Sequence, residues 1–242
     1  MAAPRKPRKS GGGRAAGSGA RRLHVRVKTA KGRTVSSRSW LERQLNDPWV
    51  AAAAREGWRS RSAFKLIQID DRYGILHQGD RVVDLGAAPG GWSQVAAARV
   101  GVTRGVGAVV AIDLHGIEPI AGVTILKKDF LEPDAPAALR EALGGEKADV
   151  VLSDMAAHAT GHRQTDHLKI MALAEAALEF ARQVLRPGGA FVCKVLRGGT
   201  ETALLAGMKR DFATVRHVKP EASRADSAEL FVVATGYRAA GE

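Results

Sequence analysis

The sequence predicts an α/β fold: a doubly wound, mostly parallel sheet that ends in an antiparallel C-terminal pair. Three observations predict it. From Arg81 onward, short β-type apolar runs alternate with segments of helical length. The first run, Val82-Val83-Asp84-Leu85, breaks into Gly86-Ala87-Ala88-Pro89-Gly90-Gly91-Trp92-Ser93 and is followed at once by a good helix opening, Gln94 to Ala98. The last two runs have no helix-length segment between or after them, so they can pair only as a hairpin.

Taken in order, Trp40 to Ala54 reads as a short helical segment interrupted by Pro48. Ser60 or Ser62 can cap a helix running to about Tyr73, with Phe64, Ile67 and Leu66 on its inner side. Strands are expected at 81–85, 107–112, 123–127, 148–153, 190–196, 214–218 and 229–235. Helices are expected at 91–100, 136–143, 165–185 and 201–210, the third closed by Arg186-Pro187-Gly188-Gly189. No internal repeat is present.

Composition narrows the function classes. A hydrophobic fraction of 45% over 242 residues suffices for one core plus an extension. No apolar run reaches the length of a membrane span, and the N-terminus lacks the apolar core of a secretory signal. The single cysteine, Cys193, excludes an intramolecular disulfide and any cysteine-cluster metal site, and fits a reducing cytoplasm. Charge is unevenly placed. Of 37 Lys and Arg, twelve fall in residues 1–39, which hold no Asp or Glu, so the other 25 face 25 acidic residues. Gly, Ser, Ala and Pro separate the basic residues of this arm, which is expected to be disordered and to favour a polyanion, RNA or DNA over a membrane or a mere solubilising role. The domain proper is taken as 40–242.

The glycine turn sits where open parallel sheets bind ligands, outside the carboxyl ends of the strands. Its spacing, Gly86, Gly90, Gly91, fails the dinucleotide fingerprint, and Gly91-Trp92-Ser93 lacks the lysine of a P-loop. Asp113, Asp129 and Asp154 each close a strand at the same edge. A carboxylate after the second strand can accept both hydroxyls of a ribose, and Asp129-Phe130 can meet an adenine edge and face. One such Asp is ordinary turn chemistry; three beside a glycine turn favour a nucleoside ligand. Lys194 stands out differently, as a lysine in the apolar run Ala190 to Leu196, where burial requires a partner or a function. Asp154, at the end of the neighbouring strand, can reach it, either as a structural ion pair or as part of a site.

Ser60-Arg61-Ser62-Ala63-Phe64-Lys65-Leu66, Asp84 through Gln94, Ser153-Asp154-Met155-Ala156, Arg186-Pro187-Gly188-Gly189, Lys194-Val195 and Ser223-Arg224 before Glu229 together resemble the FtsJ/RrmJ family of RNA ribose 2′-O-methyltransferases. The resemblance runs from about residue 40 to the end, with the motifs in order. It implies a Rossmann-like methyltransferase fold and S-adenosyl-L-methionine (AdoMet) as cofactor. It further implies a Lys-Asp-Lys-Glu tetrad on Lys65, Asp154, Lys194 and Glu229, and cofactor contacts at Gly86, Gly90, Trp92, Asp113, Asp129 and Asp154. The implied substrate is a uridine in the A-loop of 23S ribosomal RNA within the assembled large subunit. The chain departs from the family pattern at Ala157-His158, where Pro-Asn is usual, at Phe231, where tyrosine is usual, and in its longer tail.

The chemistry suits those residues. A ribose hydroxyl is a poor acid, so an enzyme must take its proton and hold oxygen, carbon and sulfur in line. A lysine accepts a proton only where its charged form is disfavoured; burial and a second ammonium act that way, and paired carboxylates oppose it. Arg55, Arg59, Arg61 and Arg224 are candidate RNA contacts, with Trp58 either stacking on a base or packing beneath the helix. No metal is expected: His158, His162 and His167 read as a polar loop, with His162-Arg163 able to touch RNA. A monomer is expected. The rival readings are a non-catalytic RNA-binding assembly factor on the same fold, a ribose methyltransferase of another RNA such as tRNA, and a methyltransferase of proteins or small molecules. A complete tetrad argues against the first. The sequence Ser153-Asp154-Met155-Ala156, unlike Asn/Asp-Pro-Pro-Tyr/Phe, argues against the last.

Overall fold

The computed structural model describes residues 34–157, 160–198 and 202–239. Most of the basic arm, and His158, therefore lie outside the described residues. The chain divides into two compact units between Asn46 and Asp47. In the first, α1 (Val35–Leu45) is opened by Thr34, whose hydroxyl accepts from the Ser37 amide at 3.2 Å. This helix begins inside the stretch assigned to the arm.

The second unit opens with α2 (Pro48–Glu56), capped by the Asp47 side chain and closed at Gly57, so Pro48 starts a helix rather than interrupting one. Next comes α3 (Ala63–Tyr73), then β1 (Arg81–Leu85), α4 (Gly91–Val100), a single 3-10 turn, β2 (Ala108–Asp113), β3 (Val123–Lys127), α5 (Ala135–Ala142) and β4 (Ala148–Ser153). The chain finishes with α6 (Arg163–Val184), β5 (Leu185–Leu196), α7 (Thr202–Asp211), β6 (Phe212–Val218) and β7 (Glu229–Tyr237).

The seven strands order as β3-β2-β1-β4-β5-β7-β6; the first five are parallel, and β7 runs antiparallel to both neighbours. The expected terminal pair therefore exists, but β7 inserts between β5 and β6. One further difference concerns Arg186-Pro187-Gly188-Gly189, which belongs to β5 instead of a loop closing α6. Leu185 already pairs with Ala148, the Arg186 guanidinium holds the Asp149 carboxylate, and a register shift absorbs the glycines before Ala190 pairs with Val150.

Successive side chains of a strand point to opposite faces, and each face has its own core. Val83, Leu85, Val151, Phe191 and Cys193 pack with α5, α6 and α7 on one side. Val82, Leu152, Val192, Phe231 and Val233 pack with α3 and α4 on the other. Parity then decides the site: Lys194 follows Val192 by two, Asp154 follows Leu152 by two, and Glu229 precedes Phe231 by two. All three emerge on the face that carries α3 and hence Lys65.

Candidate active site

The turn after β1 is built by close approach. Gly86 has φ +74°, and a Cβ there would lie 2.6 Å from Met155 Cγ and 2.8 Å from its Cα, so only glycine lets the chain leaving β4 pass. Gly86 and Ala87 amides both donate to the Ile112 carbonyl, at 3.0 and 3.1 Å. Beside the turn opens a cavity of about 590 Å³, lined by Gly86, Asp113, Asp129, Phe130 and Asp154 among others. Each of the two rim carboxylates is held by backbone amides of its own or the adjoining loop. Asp113 accepts from the amides of Ala88 at 2.9 Å and His115 at 2.7 Å, and Asp129 from that of Leu131 at 2.9 Å.

Trp92 and Gly90, expected as cofactor contacts, do not line this cavity. Trp92 is buried: its indole N–H donates to the Ser62 carbonyl at 2.8 Å, and its ring lies 5.4 Å from Phe231. Gly90 is covered by Arg59, Ile117 and Ile120. Neither side of this pair lines the cavity; both shape the turn that does.

Lys65, Asp154, Lys194 and Glu229 are brought together. Lys65 Nζ lies 2.7 Å from Glu229 Oε1 and 4.0 Å from Asp154 Oδ2, with Phe231 beneath it at 5.4 Å. Lys194, only 8% exposed, donates to the Asp154 carbonyl at 2.8 Å and stands 3.1 Å from Asp154 Oδ1. That Oδ1 is buried and receives no aligned hydrogen bond, because the aligned donor of Lys194 goes to the backbone. Asp154 therefore faces both lysines and the cavity with an acceptor to spare.

Two contributors were named in the sequence only as parts of motifs and given no role in the site. Ser223 donates to Glu229 Oε1 at 3.0 Å, sharing that oxygen with Lys65. Asp84, fully buried in β1, accepts from Ser93 Oγ at 2.6 Å and leaves its other oxygen unpartnered. Burial pushes its carboxyl up to about 7, against the Ser93 hydrogen bond, and the charges of Asp154 and Asp113 add to the rise. The available signal was the one that betrayed Lys194, an ionisable residue inside an apolar run.

The four arginines fall into two kinds. Arg55 is exposed, 3.7 Å from Glu56. Arg224 is partly exposed, 3.8 Å from Asp47. Arg61 is enclosed between Asp47 and the Ala222 carbonyl; burial lowers its pKa from the ordinary value and Asp47 opposes this. Arg59 donates to three backbone carbonyls. Trp58 packs against the buried cluster of Ala53, Phe64 and Ala222. His162 caps α6, and His167 lies 3.3 Å from the Leu196 carbonyl. Among the described residues no cluster of three or more His, Cys, Asp or Glu could hold a metal, and no helix is long and apolar enough to cross a membrane.

A seven-stranded sheet with an inserted antiparallel strand, and a cavity at the carboxyl edge between glycine turn and strand-end carboxylates, define the class: a Rossmann-like methyltransferase. The FtsJ-like methyltransferase family model matches residues 58–237, and the chain belongs to that family. It is 64% identical to a Ribosomal RNA large subunit methyltransferase E from Xanthobacter autotrophicus, over 92% of this chain and 87% of the relative. A protein of the same name from Parvibaculum lavamentivorans is 57% identical over 97% and 95%. A crystal structure from Plasmodium falciparum described as a ribosomal RNA methyltransferase superposes with a TM-score of 0.67 at 27% identity, covering 74% of this chain and 98% of that one.

Proposed function

We propose that this methyltransferase transfers a methyl group from AdoMet to the ribose 2′-oxygen of a uridine in the A-loop of 23S ribosomal RNA, in the assembled large subunit. It acts in the cytoplasm as a monomer. The observation that carries the reading is the meeting of Lys65, Lys194 and Glu229 around Asp154, which lines the cavity beside the glycine turn. The fit rests on this chain's own groups: two rim carboxylates to accept hydroxyls, Phe130 as an apolar wall, and Asp154 Oδ1, which is paired with Lys194 but receives no aligned hydrogen bond. When bound, AdoMet supplies a sulfonium methyl open to in-line attack. Lys194 Nζ takes the ribose hydroxyl proton, and Asp154 aims Lys194 through its carbonyl and Oδ1. Lys65, locked by Glu229, holds the ribose oxygen on the line of attack. The high identity to relatives named for large-subunit ribosomal RNA supports the substrate.

Mapping ribose methylation across ribosomal RNA, with and without the gene, tests the proposal. One A-loop site should lose its methyl group in the deletion and regain it with the wild-type protein. An unchanged map, or loss of a methyl from tRNA instead, would overturn the substrate; a protein that binds RNA but not AdoMet would leave only an assembly role. Calorimetry should show AdoMet binding with no divalent ion added. The basic arm is proposed to add affinity for RNA. Deleting residues 1–33, with eleven Lys and Arg, should weaken RNA binding and flatten its salt dependence, because fewer counterions are released. An unchanged salt slope would make the arm a solubiliser.

A further inference from the structure

The segment 57–62 leads into α3 and is fastened to the start of α4 along its length. The Arg59 amide donates to Gln94 Oε1 at 2.9 Å, Gln94 returns a bond to the Gly57 carbonyl at 3.3 Å, and Ser60 Oγ lies so close to Gly91 that a Cβ there would clash with it. The Arg59 guanidinium reaches further. Nη1 donates to the carbonyls of Pro89 at 3.3 Å and Glu118 at 2.5 Å, and Nη2 to that of Pro119 at 2.8 Å. Pro89 belongs to the glycine turn; Glu118 and Pro119 belong to the loop leaving β2. Those two stretches also supply Ala88, Asp113, Leu114 and His115 to the cavity wall. Arg59 itself does not line the cavity. It stands behind the wall and ties its two halves.

We propose that Arg59 is a positioning residue for the nucleoside pocket and not a contact to RNA. A planar fork is needed for this task, since one cation must meet carbonyls on two separate loops; a lysine offers the charge without the fork. The carbonyls it serves point at no other cation among the described hydrogen bonds. Without Arg59, the loop at Glu118 and Pro119 loses its tie to Pro89, and the bonds from Gly86 and Ala87 to Ile112 and from Ala88 to Asp113 are left to hold the wall alone. The inference rests on the AdoMet reading above and adds to it a specific residue outside the pocket.

Calorimetry of AdoMet binding to Arg59→Lys and Arg59→Ala in the full chain without RNA tests this, beside RNA affinity measured without AdoMet. AdoMet affinity should fall about tenfold or more in both variants, with RNA affinity within about twofold of wild type for Arg59→Lys. In turnover, KM for AdoMet should rise while kcat at saturating AdoMet stays near wild type, a split that general destabilisation would not give. Should Arg59→Ala fail to fold, as judged by circular dichroism, Arg59→Lys alone decides. Unchanged AdoMet affinity, or RNA and AdoMet affinity falling in step in Arg59→Lys, overturns the proposal. Wild-type protein that bound no AdoMet would overturn this inference and the functional reading together, whereas wild type and variants binding alike would overturn this inference only.

Discussion

The two carboxylates at the cavity rim and the two in the tetrad are held in opposite ways. Asp113 and Asp129 accept from amides of their own or adjoining loops: His115 and Leu131 lie two residues away, and Ala88 lies in the turn beside β2. Asp154 and Glu229 are held by ammonium groups from α3 and β5, far along the chain. A backbone amide cannot be mutated away and does not move with a side-chain rotamer. An ammonium can do both, and it can also exchange a proton. The rim is thus built to stay fixed around a ligand, and the tetrad to carry chemistry.

That contrast predicts which substitutions hurt which step. Lys194→Ala should reduce single-turnover methylation of ribosomal subunits at saturating AdoMet by about 10²–10⁴-fold. AdoMet affinity should survive, because the rim does not depend on Lys194. Lys194→Arg sharpens the point. Its guanidinium keeps the positive charge but does not release a proton at ordinary pH, so it should be nearly as slow as alanine. A near-normal rate for Lys194→Arg would leave the tetrad as a device for positioning alone.

Asp84 tests the rim side through stability, since it is buried beneath the turn with one oxygen unpartnered. Its carboxyl is raised from 3.8 to about 7 in the folded chain. Between those values the folded state binds more protons than the unfolded one, so stability falls as pH rises from about 4 to 7. Asp84→Asn keeps an acceptor for Ser93 and removes the titration. Urea unfolding should show the wild-type slope flattened in the variant, with a gain on the order of a few kcal/mol at pH 8. Equal slopes in the two proteins would mean that Asp84 stays charged when buried.

Asp113→Ala isolates the rim from the tetrad. The loss of AdoMet affinity should be about 1.5–3 kcal/mol, the range for hydrogen bonds to a charged group, read by calorimetry. The methylation rate at saturating AdoMet should change little. A rate that collapsed while affinity held would erase the distinction between the two regions.

The same contrast explains what could be read in the sequence. The rim is local: a strand, a glycine turn and an Asp at a strand end are consecutive in the chain, so pattern alone located Gly86, Asp113 and Asp129 at the cavity. The tetrad is not local. Asp154 and Lys194 showed themselves because an ionisable residue in or after an apolar strand is anomalous, but Lys65 on a helix and Glu229 at the start of a strand carry no such mark and came from the family motifs. Parity on the sheet unites them, and parity needs the register Lys194 to Phe231 and Leu196 to Glu229, which no local pattern contains. Side-chain partners were least legible. Arg59 and Arg61 look like surface cations in sequence, yet backbone carbonyls and Asp47 engage them.

Ser223 offers the mildest test, because it is a neighbour on the chain that helps to hold the tetrad. Its hydroxyl and Lys65 Nζ converge on Glu229 Oε1, at 3.0 and 2.7 Å, and the Ser227 hydroxyl accepts from the Glu229 amide at 3.1 Å. Glu229 is therefore clamped from its own loop as well as by the distant lysine. In Ser223→Ala the carboxylate keeps its ion pair but loses the donor that limits its rotation. A hydrogen bond to a charged group contributes about 1.5–3 kcal/mol when both partners are buried; here the lysine remains, so the lower end applies, about a tenfold loss of rate. AdoMet affinity should be unaffected, since neither residue lines the cavity. Ser223→Thr restores the hydroxyl and should recover most of the rate. If Ser223→Ala were as slow as Lys194→Ala, the loop and not the distant lysine would be what holds Glu229, and the tetrad would be built like the rim after all.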